Sequence, residues 1–137
     1  MAGYSKTPLA QKLGIKAGSE VVILSAPAGY RKWLAPLPAG VSFAEKASAG
    51  SDFIHLFVME RRTLEKELKR LRKLLADAGV LWVSWPKKAS GATTDITEDV
   101  IREVCLPLDF VDVKVCAVDE IWSGLKLMIR REKRKSL

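Results

Sequence analysis

The chain has 137 residues, of which 48% are apolar, so it is long enough to bury one ordinary core and is not intrinsically disordered. Its two cysteines, Cys105 and Cys116, lie in apolar surroundings without metal-ligand spacing, which argues against a zinc site or a disulfide framework. No stretch approaches the roughly 20 apolar residues that cross a bilayer, so we expect a cytoplasmic protein without a membrane partner.

The first half of the chain predicts strands separated by short helices. A helix over residues 7–14 precedes the β-branched run 21–24, which is typical of a strand buried on both faces. A brief helix near Leu34, a short strand over 41–45 and an apolar strand over 53–59 follow. The strand over 53–59 is the most apolar of the chain.

The second half predicts the longest helix and then a fourth strand. Leucines at three- and four-residue steps predict a helix over 63–78 that ends at Gly79. Glu65 and Lys69 are expected to form an i,i+4 ion pair on its surface. Residues 80–85 then predict the fourth strand.

The last third of the chain predicts another helix and a closing hairpin. Either Asp95 or Thr97 is expected to cap the helix, and with Asp95 as the cap Glu98 would complete a capping box. Strands over 111–118 and 125–130 are joined by a short turn that contains glycine, which predicts an antiparallel pair.

These elements together predict an α/β fold. We expect a three-layer Rossmann-like sandwich whose mostly parallel sheet of about six strands is closed by a C-terminal antiparallel hairpin. Residues 1–131 should form one α/β domain and 132–137 a basic, flexible tail. Any ligand should bind at the carboxyl ends of the parallel strands.

Three groups of motifs resemble an uncharacterised family of small bacterial proteins. They are Ala2-Gly3-Tyr4-Ser5, Thr7-Pro8-Leu9 and Lys12-Leu13-Gly14-Ile15-Lys16 at the start, Trp85-Pro86-Lys87-Lys88, Ser90-Gly91, Thr94-Asp95 and Thr97-Glu98-Asp99-Val100 in the middle, and Lys114-Val115-Cys116-Ala117-Val118-Asp119-Glu120 with Trp122-Ser123-Gly124-Leu125 near the end. That family is a domain of unknown function, so the resemblance implies no activity.

The order of the elements is also similar to an S-adenosylmethionine-dependent methyltransferase fold with one strand–helix unit missing. Where those enzymes have a glycine-rich turn after the first strand, this chain has residues 25–29 with Gly29 as the single glycine. Glu45, at the end of the second strand, falls where that family places a ribose-binding acid. The resemblance therefore implies S-adenosylmethionine as a cofactor held near Gly29 and Glu45.

The loop over residues 86–95 is the main site predicted from the residues themselves. It joins a strand to a helix N-terminus, where free N–H groups and basic side chains suit phosphate or carboxylate. The candidate ligand-binding residues are Lys87, Lys88, Ser90, Thr93 and Thr94, with Trp85 and Trp122 stacking a planar ligand. The alternative is a solvated connection whose acids already satisfy the helix end.

Other conspicuous residues have structural interpretations. His55, the only histidine, lies in an apolar strand and is expected to be a hydrogen-bonded core residue; Trp82 is expected in the core, and Asp119 with Glu120 in a hairpin turn. Residues 61–73 carry a net charge of +5 and residues 130–135 a net charge of +4, within a total of +7. These basic segments form either a solvated surface or a weak contact for a polyanion.

Three functions remain open from the sequence. The first is a non-catalytic binding module for an anionic or nucleotide-like ligand at the 86–95 loop. The alternative is a minimal methyltransferase-like transferase that uses Glu45 and the turn over residues 25–30. A second alternative is a nucleic-acid or protein interaction domain that works through the basic helix over 61–73.

Overall fold

The computed structural model describes residues 7–135, which contain a six-stranded sheet with helices on both faces. The strands are β1 Glu20–Leu24, β2 Ser42–Ala44, β3 Ser51–Phe57, β4 Leu75–Pro86, β5 Phe110–Ala117 and β6 Trp122–Ile129. The α-helices are α1 Leu9–Leu13, α2 Tyr30–Trp33, α3 Arg61–Leu74 and α4 Glu98–Cys105. Short 3₁₀ turns follow at Lys88–Ser90, Leu106–Leu108 and Arg131–Lys133.

The sheet has the order β2-β1-β3-β4-β6-β5. The first four strands in that order run parallel, with Val22 opposite Ala44 and Leu24 opposite Leu56. Strand β6 lies antiparallel to both β4 and β5. This arrangement confirms the predicted α/β fold, mostly parallel and closed by a C-terminal antiparallel hairpin.

Side chains alternate between two cores, one on each face of the sheet. Ile54 and Leu56 of β3 point to the face covered by α3 and α4, and Phe53 and Phe57 point to the face covered by α1 and α2. We call these the α3/α4 face and the α1/α2 face. The α3/α4 face holds the leucine stripe of α3, which is fully buried at Leu64, Leu68 and Leu71.

Helix α3 ends four residues earlier than its apolar spacing predicts. Leu75 already has an extended backbone, pairs with Ser51 as part of β4, and buries its side chain all the same. Gly79 therefore lies inside a strand and does not end the helix. A Cβ on Gly79 would lie 2.8 Å from Leu75 Cδ1 and 3.0 Å from the Ala76 carbonyl oxygen, so close packing favours glycine at this strand position.

Two contacts predicted for the helices differ in the structure: the cap of α4 and the ion pair of Glu65. Thr97 caps α4, because its Oγ1 accepts a 3.2 Å hydrogen bond from the Val100 N–H. The Asp95 capping box is wrong: Asp95 Oδ1 instead accepts from the Arg61 N–H at 2.7 Å, so it caps the start of α3. Glu65 lies 3.2 Å from Arg61 Nε and forms its ion pair there, not with Lys69.

The ends of the chain are only partly described. The opening motif over residues 2–5 and the last two residues of the predicted tail lie outside residues 7–135. Within that range, Cys105 and Cys116 are free thiols, and none of the helices is both long and apolar enough to cross a membrane.

Candidate functional site

A cleft of about 690 Å³ opens at the carboxyl ends of β1 and β2. The chain leaves β1 toward β2 on one side and leaves β3 toward β4 on the other, so the crossovers diverge between β1 and β3. In open α/β sheets such a switch point is where ligands bind. Its lining includes Leu24 at the end of β1, Leu56 of β3 and Glu45 just after β2.

The turn from β1 to α2 forms one wall of this cleft. Ser25 has a φ of 60° and Gly29 a φ of 89°, both in the left-handed region. Gly29 is the N-cap residue of α2, where a left-handed backbone favours glycine. Ser25 has a Cβ that disfavours this region, and strained backbone of this kind clusters at ligand-binding and active sites.

Glu45, just after β2, provides a carboxylate in the lining of the same cleft. It is exposed and lines the cleft, and within residues 7–135 no hydrogen bond or ion pair occupies its oxygens. The structure thus places Glu45 and Gly29, both proposed from the methyltransferase resemblance, in the lining of one cleft. Glu45 can accept hydrogen bonds from a ligand without breaking any of its own.

Helix α3 contributes a third wall that the sequence analysis did not include. Thr63, Glu67 and Arg70 line the cleft, and Arg70 Nη2 lies 2.7 Å from Glu67 Oε2. Their four- and three-residue spacing places them on one side of the helix. That spacing is visible in the sequence, but only the packing of α3 beside β3 shows which side faces the opening.

A buried polar chain holds α2 against the sheet beneath the cleft. Tyr30 Oη lies 2.5 Å from His55 Nδ1, and His55 Nε2 lies 2.7 Å from Ser84 Oγ. Desolvation lowers the pKa of His55 to about 3 and raises that of the Tyr30 hydroxyl, so both groups are neutral at pH 7. With the Tyr30 hydroxyl donating to Nδ1, the Nε2–H donates to Ser84. His55 is the hydrogen-bonded core histidine that was expected.

Two polar side chains of the 86–95 loop, those of Ser90 and Thr94, are already hydrogen-bonded to backbone groups. Ser90 Oγ donates to the Lys87 carbonyl at 2.6 Å and accepts from the Ala92 N–H. Thr94 Oγ1 donates to the Met59 carbonyl at 2.6 Å, while Lys88 and Thr93 are exposed. These bonds fit the solvated-connection alternative, and the lining of the switch-point cleft includes none of the loop residues.

The tryptophans predicted to share a stacking pocket lie on different faces of the sheet. Trp85 is 7% exposed and packs in the α3/α4 core, whereas Trp122 packs on the α1/α2 face with its ring centroid 5.1 Å from that of Phe57. Trp82 is fully buried and donates from Nε1 to the Leu13 carbonyl at 2.8 Å. Trp122 pairs with Pro86, the residue after Trp85 in β4. Because adjacent residues of a strand point to opposite faces, the rings of Trp85 and Trp122 lie on opposite faces of the sheet.

The hairpin turn has the structural role expected of it. Asp119 Oδ1 accepts hydrogen bonds from the Ile121 N–H at 2.9 Å and the Trp122 N–H at 2.7 Å. Its carboxylate therefore shapes the turn between β5 and β6.

Solved structures similar to this chain include several methyltransferases. A SAM-dependent methyltransferase from Aquifex aeolicus matches with a TM-score of 0.62 at 14% identity, covering 88% of this chain and 87% of that one. A ribosomal-protein methylase from Lactobacillus delbrueckii subsp. bulgaricus matches with a TM-score of 0.58 at 11% identity, covering 90% and 76%. The chain has a methyltransferase-like fold.

A third solved structure is similar to this chain over most of its length. Fibrillarin, a pre-rRNA processing protein of Methanococcus jannaschii, matches with a TM-score of 0.57 at 13% identity, covering 94% of this chain and 71% of that one. At such identities the likeness establishes the fold alone. No protein-family model and no curated protein matches the sequence, so membership of the small bacterial family stays a prediction.

Proposed function

We propose that this protein is a minimal methyltransferase-like transferase that binds S-adenosylmethionine in the switch-point cleft. The observation that carries the proposal is the position of Glu45 and the Ser25–Gly29 turn in the lining of one cleft, within a methyltransferase-like fold. The predicted anion site at the 86–95 loop has weaker support, because Ser90 and Thr94 already bond to backbone.

The residues of the cleft fit a nucleoside-sized cofactor. The volume of the cleft, about 690 Å³, falls within the range of small-molecule sites. Glu45 would accept hydrogen bonds from the ribose hydroxyls, and the β1–α2 turn, which lines the same cleft, would lie beside the rest of the cofactor. When bound, the cofactor supplies an electrophilic methyl group for transfer to an acceptor.

Isothermal titration calorimetry with S-adenosylhomocysteine and S-adenosylmethionine tests the binding part of the proposal. Hydrogen bonds to a charged group contribute about 1.5–3 kcal/mol, so Glu45→Gln should weaken binding about 10-fold or more. The matched control is Glu20→Gln, because Glu20 is exposed at the amino end of β1, away from the cleft. It should bind like the wild type.

Two results would contradict the proposal. Absence of heat and of thermal stabilisation with either ligand at millimolar concentration would exclude a cofactor site. Equal affinity in the Glu45→Gln and Glu20→Gln variants would exclude the assigned position. A thermal shift with inorganic phosphate alone, abolished by neutralising Lys87 and Lys88, would instead favour the binding module at the 86–95 loop.

Transfer itself is tested with methyl-labelled S-adenosylmethionine. Wild-type protein should move label into an acid-insoluble acceptor pool, and Glu45→Gln should slow this at subsaturating cofactor. Binding without any transfer would leave a cofactor-binding protein that is not a transferase.

A further inference from the structure

A second concave surface lies between α3 and the 3₁₀ turn that follows α4. It encloses about 710 Å³ and is lined by basic side chains of α3 above a floor of Leu74, Pro107 and Leu108. The basic members of this lining are Lys66, Lys69, Arg70, Arg72 and Lys73. We call this surface the basic groove.

The fold brings the second basic segment of the sequence to the end of this groove. Arg72 Nη2 donates to the Lys133 carbonyl at 3.4 Å and lies 3.3 Å from Asp109 Oδ2. Arg130 is 3.4 Å from the other carboxylate oxygen of Asp109 and donates to the Leu106 carbonyl at 2.9 Å. Two segments about 60 residues apart in sequence therefore add their charges on one surface.

The groove keeps most of its positive charge free for a partner. Asp109 is the acidic residue in its lining, and two arginines already neutralise it. Glu67 pairs with Arg70 and Glu65 with Arg61. Within residues 7–135, no hydrogen bond or ion pair engages the ammonium groups of the remaining three lysines, Lys66, Lys69 and Lys73.

We propose that the basic groove binds the phosphate backbone of a nucleic-acid strand. The three free lysines recur at three- and four-residue steps, so they follow one line along α3 over about 10 Å. A line of cations in a concave channel matches a linear polyanion, whereas a flat bilayer would contact only its rim. The lining has no aromatic residue, so the contact is to phosphates without stacking of bases.

The same composition argues against a protein partner. Protein interfaces are enriched in aromatic residues and arginine and depleted in lysine. This lining has three lysines and no aromatic residue, and its two arginines are already paired with carboxylates. Arg70 lines both the basic groove and the switch-point cleft, so a nucleic-acid strand bound in the groove would pass beside the cleft. Binding in the groove needs no cofactor and does not depend on the proposed function.

Fluorescence anisotropy with a labelled single-stranded RNA of about 20 nucleotides and mixed sequence tests this proposal. Titrations from 50 to 200 mM salt, without cofactor, give the slope of log affinity against log salt. The test variant is Lys66→Gln, Lys69→Gln, Lys73→Gln. The control, Lys16→Gln, Lys46→Gln, Lys114→Gln, makes the same charge change at exposed positions outside the groove.

Each phosphate contact on a single strand contributes about 0.7 to the magnitude of the slope, so the test variant should flatten it by about 2. Its affinity at 100 mM salt should fall at least tenfold, and the control should stay within about twofold of wild type. Matching circular dichroism spectra would establish that both variants are folded.

Three outcomes would overturn the proposal. They are no RNA binding by the wild type at 50 mM salt, equal losses in the two variants, and preferential binding of the groove to an acidic peptide or to phosphatidylserine vesicles. Equal losses would show attraction by net charge alone. Preference for the peptide or the vesicles would assign the groove to a different partner.

Discussion

Lowering the pH from 7.5 to 5.0 should destabilise this protein through one residue, His55. Its imidazole is fully buried between Tyr30 and Ser84, and desolvation lowers its pKa from 6.5 to about 3. At pH 5.0 the unfolded chain therefore binds a proton at His55 that the folded chain does not. Stability must fall as the pH drops below 6.5, because the unfolded state binds more protons there.

The size of this effect follows from the two pKa values. One unit of pKa corresponds to about 1.4 kcal/mol, and pH 5.0 lies about 1.5 units below the pKa of histidine in the unfolded chain. Protonation of His55 in the unfolded state therefore lowers the free energy of unfolding by about 2 kcal/mol at pH 5.0. That is a sizeable fraction of the roughly 5–15 kcal/mol that stabilises an ordinary domain. Because His55 is the only histidine, few other side chains titrate in this interval.

Urea denaturation at the two pH values, followed by tryptophan fluorescence, measures the loss. With a typical urea dependence of about 1–3 kcal/mol per molar, the midpoint should fall by about 1 M. His55→Gln has no titrating group, so the variant should lose much less between pH 7.5 and 5.0, whatever its absolute stability. Equal losses in wild type and variant would refute the assignment to His55.

A second measurement needs no variant. The single histidine gives one Cε1–H resonance, and in the folded protein its chemical shift should be constant from pH 7.5 to 5.0. A titration of that resonance with a midpoint near 6.5 would show that the folded imidazole takes up a proton readily, against the buried geometry.

Three substitutions and one thiol-reactivity measurement test other parts of the structure. Thr97→Ala removes the cap of α4 and should lower the free energy of unfolding by about 0.5–2 kcal/mol in urea, with the exposed Thr93→Ala near neutral. Ser25→Val places a β-branched residue at a φ of 60° and should lower the melting temperature, whereas Ser25→Gly should not. Leu68→Ala empties a fully buried position and should cost about 2–5 kcal/mol, measured by urea denaturation. Burial raises the pKa of Cys105 to about 11, so its thiol should react slowly with a disulfide reagent at pH 8 in the folded protein and rapidly in urea; fast reaction in both would contradict the buried position.

The sequence predicts the order and type of the main elements because each strand carries a local signal. Apolar or β-branched runs mark β1 and β3, and a glycine-containing turn marks the β5–β6 pair. The end of α3 could not be read in this way. Leu71, Leu74 and Leu75 suit both a helical stripe and a helix followed by a strand, and only the pairing of Leu75 with Ser51 decides between them.

The candidate site was harder to predict because it depends on contacts between distant segments. Glu45 and Gly29 were proposed through a resemblance in element order, and their common cleft follows from the crossovers that diverge between β1 and β3. In the sequence, Arg70 is one of several basic residues on the surface of a helix, and only the packing of α3 shows that it lines the cleft. In the 86–95 loop, the hydroxyl of Thr94 suits ligand binding by its chemistry, and only the fold shows that it donates to the Met59 carbonyl.

The hydrogen bond from the Arg61 N–H to Asp95 connects the start of α3 to the 86–95 loop, and hydrogen exchange can measure this connection. The first amides of a helix ordinarily exchange with solvent quickly, because nothing in the helix accepts from them. Here the acceptor belongs to the segment before α4, so the Arg61 amide is protected only while that segment stays in place. Its exchange rate thus reports each opening of the 86–95 loop, with α3 itself still folded, and Asp95→Ala should abolish that protection.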